Sequence, residues 1–278
     1  MQSQILLIEC ADRPGLVHLA TGVLFRAGVN VIRNHEFVDL ESRRFFMRTE
    51  FEGSPASRNL VSEVQQVLPP AALVEVRTSA PKRIVVFASR EHHCLADLLV
   101  RHAYQELQAE IVGVISNHEA LKPLADRFTI PFHYRPAENL SREEHEGALQ
   151  SLLDELQPEL LVLAKYMRVL TPSFVGRWTR RIVNIHHSFL PAFVGARPYH
   201  QAFARGVKVI GATAHFVTDQ LDEGPIIVQQ VISVDHTHTS QDLAQAGRDV
   251  EQTVLARALR LVLEDRVFHC GQRTIIFD

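Results

Sequence analysis

The chain has 278 residues, 46% of them apolar, enough to bury one large core or two modest ones. Its formal net charge of −3 carries no basic excess that would draw it to nucleic acid, and no apolar run approaches the length that crosses a bilayer. Cys10, Cys94 and Cys270 are odd in number, far apart and without metal-ligand spacing, which reads as buried reduced thiols rather than a disulfide framework.

The N-terminus MQSQILLIECADRPG meets charged residues early and lacks the apolar core of a secretion signal, so a cytoplasmic location is expected. Residues 3 to 10 read as a buried strand, and Asp12-Arg13-Pro14-Gly15 as a turn into an apolar helix ending near Gly28. Strands are expected over Asn30 to Val38 and Arg44 to Phe51, joined by a polar turn at Asp39 to Ser42. A helix from Ser57 to Leu68, stopped by Pro69-Pro70, and a strand from Ala72 to Arg77 complete the order βαββαβ, a ferredoxin-like unit over 1–80.

After Ser79-Ala80-Pro81 the pattern changes, and 81–278 is expected to form a second domain. Strands at Ile84 to Ser89, Ile111 to Ser116, Glu159 to Ala164 and Arg181 to His186 alternate with helices at His93 to His102, around Lys122 to Phe128, and from the capping box Ser141-x-x-Glu144 to Leu156. Apolar strands separated by helices predict an α/β fold with a mostly parallel sheet, whose site lies beyond the carboxyl ends of the strands. Asn184 and His186 stand at such an end. With His187 and, further on, Asp222, they place an amide, imidazoles and a carboxylate close to glycine and proline bends, the groups that polarise a carbonyl, move a proton and orient the mover. The turn after the first strand of this domain, Ser89 to Cys94, holds no glycine, so bare backbone is not offered there to a phosphate. Fifteen histidines invite a metal, but His92-His93, His186-His187 and His236-x-His238 lack the accompanying spacing of a zinc site, and no metal is expected.

NIHHSFLP (Asn184 to Pro191) and GATAHFVTDQLDEGP (Gly211 to Pro225) resemble the folate-dependent formyltransferase family, which carries Asn-x-His followed by Leu-Pro and later Leu-Asp-x-Gly. DRPGL and Ala27-Gly28-Val29-Asn30 make the first domain similar to an ACT domain; read without that resemblance it is a plain packing or dimerisation module. HHSFLPAFVGARPYHQAF (His186 to Phe203) and VFHCGQRTIIF (Val267 to Phe277) point to the family's deformylase branch, in which an ACT domain precedes a Rossmann-like formyltransferase domain and water takes the formyl group. The resemblance implies hydrolysis of 10-formyltetrahydrofolate, a substrate and not a cofactor, to formate and tetrahydrofolate, supplying formate for purine synthesis and balancing folate pools. The alternative is formyl transfer to a nucleotide acceptor. The glycine-free turn and the single helix and strand before Asp278, which leave out the C-terminal barrel of methionyl-tRNA formyltransferases, weigh against a transferase.

Carried over from the family, Asn184 donates to the formyl oxygen, His186 moves the proton and Asp222 orients it. Met167, Arg168, Val169 and Leu170 form the pterin loop, faced by Thr218, Asp219, Gln220 and Leu221, and Arg142 lies near the folate. Arg142 also reads as a solvated helix-start charge. His187 stands where transferases have proline and is a candidate for the hydrolytic step, whereas packing in the core or behind the reacting residues is expected for His200 and His215. Gly15 and Asn30 are candidates for holding an amino-acid effector, glycine or methionine, between paired first domains of a homo-oligomer.

Overall fold

A computed structural model of the chain describes residues 3–53, 59–191 and 198–278. The described residues fall into two compact units. The first takes the chain up to Ala80 together with 264–268 and 275–278, so the second does not hold all of 81–278.

In the first unit, β1 (Gln4–Ala11), α1 (Leu16–Arg26), β2 (Asn30–Asp39), β3 (Arg44–Glu52), α2 (Leu60–Val67) and β4 (Leu73–Thr78) follow the expected order βαββαβ. The strands lie in the order β2-β3-β1-β4, and all the pairs are antiparallel. Helix α1 buries Leu16, Ala20, Val23 and Leu24, one stripe at helical spacing, against Leu6, Ile8, Met47 and Phe51 of the sheet. Ser57, the expected start of α2, lies outside the described residues; the helix ends at Val67 because Leu68 turns extended before Pro69. Strand β2 forms an edge and exposes Val31, Ile32 and Phe37.

The second unit carries β5 (Lys82–Ala88), α3 (His93–Ala103), β6 (Ala109–Ser116), a 3₁₀ turn, α4 (Lys122–Arg127), β7 (Phe132–Tyr134), α5 (Arg142–Leu156), β8 (Leu160–Leu163), α6 (Pro172–Arg177), β9 (Ile182–His186), α7 (Pro198–Ala204), β10 (Val209–Phe216), β11 (Ile226–Ser233) and α8 (Ser240–Leu263). A hairpin, β12 (Val267–Cys270) and β13 (Arg273–Ile276), follows. The seven-stranded sheet has the order β11-β10-β9-β8-β5-β6-β7 and is parallel from β9 to β7, as expected, with β10 and β11 added antiparallel. Strand β5 is followed on one side by β6 and on the other by β8, so the connections diverge there and leave a crevice beyond the carboxyl ends of β5, β8 and β9. Ser141 and Glu144 form the expected reciprocal capping box at α5. No described helix is long and apolar enough to cross a membrane.

Candidate active site

Asn184 and His186 occupy β9 two residues apart, and so share one face of the strand. The antiparallel register sets Asn184 opposite His215 and His186 opposite Thr213. His215 Nδ1 lies 2.9 Å from the carbonyl of Phe216, which only a ring N–H can satisfy, so its Nε2 is an acceptor for Asn184 Nδ2 at 3.2 Å. Burial lowers the His215 pKa and keeps the ring neutral in this role. One amide proton of Asn184 is thereby held and the second is left for the crevice.

His186 Nδ1 lies 3.2 Å from Asp222 Oδ1, while its Nε2 is buried and has no partner among the described residues. That pairing with His186 holds the Asp222 carboxyl below its ordinary range, against the opposing effect of burial, so Asp222 stays charged wherever a carboxylate normally would. Asp222 reaches this place through a tight return of the chain. Its φ is 58°, a left-handed conformation that aspartate tolerates, and Phe216 N donates to Pro225 O at 2.9 Å. A Cβ at Gly224 would stand 1.7 Å from the Phe216 carbonyl oxygen, so glycine is required for the loop to close.

The segment after β9 is held by Thr213, whose hydroxyl donates to Ser188 O at 2.9 Å and accepts from Leu190 N at 3.1 Å. His187 stacks on His186 with ring centroids 4.9 Å apart. Residues 192–197 of the motif lie outside the described residues. The loop after β8 is pinned at both ends: Ser89 Oγ accepts from Met167 N at 3.0 Å, and Glu146, buried on α5, accepts from Thr171 N at 2.7 Å.

These elements enclose a cavity of about 300 Å³, lined by Asn184, His186, His187, Asp222 and the expected facing segments 167–170 and 218–221. Arg142 is not brought here; it is exposed as the first residue of α5. His200 is exposed on α7 and is not a packing residue, while buried His215 proves to be the partner of Asn184. Gly15, with φ 89°, opens α1 without a side-chain cap, and Asn30 begins β2; both are exposed in the first unit.

One buried group has a metal-like composition, His93, Cys94 and Glu251. The place of a cation beside its carboxylate is already taken by Lys165 Nζ, 3.1 Å from Glu251 Oε2, and burial pushes the Cys94 thiol well up, which disfavours the thiolate a metal needs. The cluster is an ion-pair network.

The formyl transferase family model matches residues 82–259. A curated formyltetrahydrofolate deformylase from Escherichia coli O6:H1 is 51% identical over 99% of each chain. The chain belongs to the formyltetrahydrofolate deformylase family. A crystal structure of a family member from Pseudomonas syringae pv. tomato superposes with a TM-score of 0.96 at 40% identity, covering 100% of this chain and 95% of the other. Glycinamide ribonucleotide transformylase 1 from Symbiobacterium toebii shares the fold over 71% of this chain and 95% of its own, at 35% identity and a TM-score of 0.67.

Two glycines separate loop closure from helix propensity. Gly224→Ala is expected to lower stability by about 2 kcal/mol or more through the clash with Phe216 O. Gly147→Ala, on the exposed face of α5 with open space around the new methyl, should raise it by about 0.5–1 kcal/mol. Denaturant titration of both variants checks the pair, and equal effects would remove the close-approach argument.

Proposed function

We propose that the chain hydrolyses 10-formyltetrahydrofolate to formate and tetrahydrofolate, with Asn184, His186 and Asp222 as the catalytic set. The observation that carries this reading is the His186 ring, tied at Nδ1 to Asp222 and bare at Nε2, in one cavity with the free amide proton of Asn184. Nε2 accepts the proton of water as its oxygen attacks the formyl carbon. The formyl oxygen gains negative charge and takes the hydrogen bond from Asn184, which supplies about 2.7–4 kcal/mol at such a position. Asp222 stabilises the imidazolium formed, and His186 returns the proton to the folate nitrogen as the carbon–nitrogen bond breaks. The donor-side groups are all side chains of this chain, so the proposed reaction needs no metal or other cofactor. Segments 167–170 and 218–221 border the same cavity and are the proposed walls for the folate; Arg142 does not line it.

Formate for purine synthesis and balance among folate pools is the proposed role, in the cytoplasm. In the first unit, the proposed function is regulatory, with a glycine or methionine effector near Gly15 and Asn30. The edge strand β2, with exposed Val31, Ile32 and Phe37, supports a homo-oligomer joined through this unit.

Purified protein given 10-formyltetrahydrofolate in buffer is expected to release formate; product appearing only with a nucleotide acceptor would establish transfer instead. Asn184→Ala should cost about 10²–10³ in kcat and His186→Ala about 10²–10⁴, and the double variant should cost less than their product because both act on one transition state. His215→Phe is expected to lower kcat about tenfold with KM little changed, since one hydrogen bond orienting Asn184 is lost, and His215→Gln should recover most of it. Near-normal turnover in His186→Ala would remove it as the proton carrier. Titration calorimetry of the full chain with glycine and with methionine is expected to show heat with one of them and a matching change in turnover. Absence of both effects leaves the first unit as an assembly module.

A further inference from the structure

The motif Val267 to Phe277 lines no part of the cavity around Asn184 and His186, yet it folds into the hairpin of β12 and β13. The base of that hairpin belongs to the first unit and its tip, 269–274, to the second. Side chains alternate along β12, so Phe268 and His269 point to opposite faces. In the first unit the base is held by a buried cation and a row of rings. Arg48, 2% exposed on β3, donates through Nε to Asp265 O at 3.1 Å and through Nη2 to Glu264 O at 2.9 Å, and Arg77 pairs with the Asp265 carboxylate. Phe268 meets Phe46 and Phe277 edge-on, with ring centroids 5.7 and 5.5 Å away, and Phe277 stacks on His35 at 5.8 Å.

In the second unit the tip reaches the β10–β11 pair at two places, and both adjoin His215. The His269 ring lies 4.4 Å from that of Phe216, the next residue along β10. Thr274 Oγ1 donates to the carbonyl of Ile226 at 2.6 Å, and Ile226 is the residue paired with His215 across the ladder. The β10–β11 register shifts between Ala214 and His215, so the ladder is interrupted where His215 sits and the hairpin supplies support there. Burial and the charge of Arg180 lower the His269 pKa to about 4, and its ring packs as a neutral aromatic face. Phe216 in turn offers its carbonyl to His215 Nδ1 and its N–H to Pro225 O. Successive residues of a strand face opposite ways, so the tip braces β10 from the side away from Asn184.

We propose that the C-terminal hairpin is a positioning element for the reaction: His269 and Thr274 fix the end of β10 so that the Phe216 carbonyl holds His215 in the tautomer that orients Asn184, and the anchored base makes that geometry depend on the first unit. The proposal rests on the role given to Asn184 in the hydrolase reading. The links run ring to ring, carbonyl to imidazole and imidazole to amide. Hydrogen bonds weaken steeply as their angles open, so a β10 end that rocks loses the last two links without losing the fold. Links in series also fail as a unit, and once one is removed, loosening another costs nothing further.

The test is a double-variant cycle in the full chain, with folding checked by thermal unfolding. His269→Ala is expected to lower kcat about fivefold with KM little changed, and His269→Phe, which keeps the ring, to recover most of the loss. Thr274→Val, the same shape without the hydroxyl, should lower kcat about threefold. In the first unit, Phe277→Ala leaves the tip intact and is expected to act in the same direction; if it does not fold, the half-exposed Arg77→Gln takes its place. In a His215→Phe background none of these changes should cost anything further. Nitrogen-15 NMR of histidine-labelled protein adds a reading that needs no turnover: His269→Ala should move the His215 resonances toward those of a ring whose proton is shared between both nitrogens. Losses that multiply in the His215→Phe background, or unmoved His215 resonances in folded His269→Ala, overturn the proposal, and Thr274→Val decides it by the same two readings if the alanine variant does not fold. Unchanged kcat in the first-unit variant overturns the dependence on that unit. No formate from the wild type would instead sink the hydrolase reading, and the His215 resonances would still decide the bracing of β10.

Discussion

The register of β9 against β10 is the constraint from which the rest of the site follows. Asn184 and His186 project on one side of β9 only while Asn184 faces His215 and His186 faces Thr213. A slip of one residue would turn both to the other face of the sheet and leave Ile185 in their place. The same pairing gives each of them its support from β10. His215 fixes the amide of Asn184, and Thr213 holds the backbone that leaves His186. Beyond β10, the close return at Gly224 brings Asp222 to His186, so one hairpin supplies the partner of the amide and the partner of the imidazole.

Two carboxylate–histidine pairs stand on the crevice, and their surroundings give them different tasks. Asp222 has the His186 ring as its nearest partner, and the opposite nitrogen of that ring is buried without a partner among the described residues. The acid pairs with the proposed proton carrier, and His215 Nε2 stands 3.8 Å from the same oxygen. Glu251 is enclosed by three donors, one of them the ammonium of Lys165, and is held ionised by them against a strong burial penalty. Such a group is suited to fixing its neighbours. Lys165 also begins the loop after β8 that borders the cavity of Asn184 and His186, its backbone carbonyl accepting from Ser89 N, so the buried network and that loop share a residue.

Much of the frame was legible in the sequence because its signals are local. The apolar runs Ile84 to Ser89 and Ile111 to Ser116 and the capping box at Ser141 declare their elements without tertiary help, as do the spacings around α1. Strands β10 and β11 were not read as strands. VIGATAHF is buried over most of its length, which hides the period of two, and its glycine serves a close approach to Gln230. The resemblance carried Asn184, His186 and Asp222 into one cavity but not Arg142, whose place at a helix start was the alternative reading from the sequence. His215 was visible as a residue, yet its task depends on cross-strand register. The His93–Glu251 contact joins groups 158 residues apart, a separation at which no spacing rule speaks.

The proposed chemistry depends on which nitrogen of His186 carries the proton. Nitrogen-15 NMR of histidine-labelled protein, with His186→Gln used to assign the resonance, reads this directly. In the neutral ring the proton is expected on Nδ1, facing Asp222, with Nε2 bare, and replacement of Asp222 by asparagine is expected to weaken that preference. A wild-type ring with its proton on Nε2 would leave no base aimed at water in the cavity and would contradict the proposed chemistry.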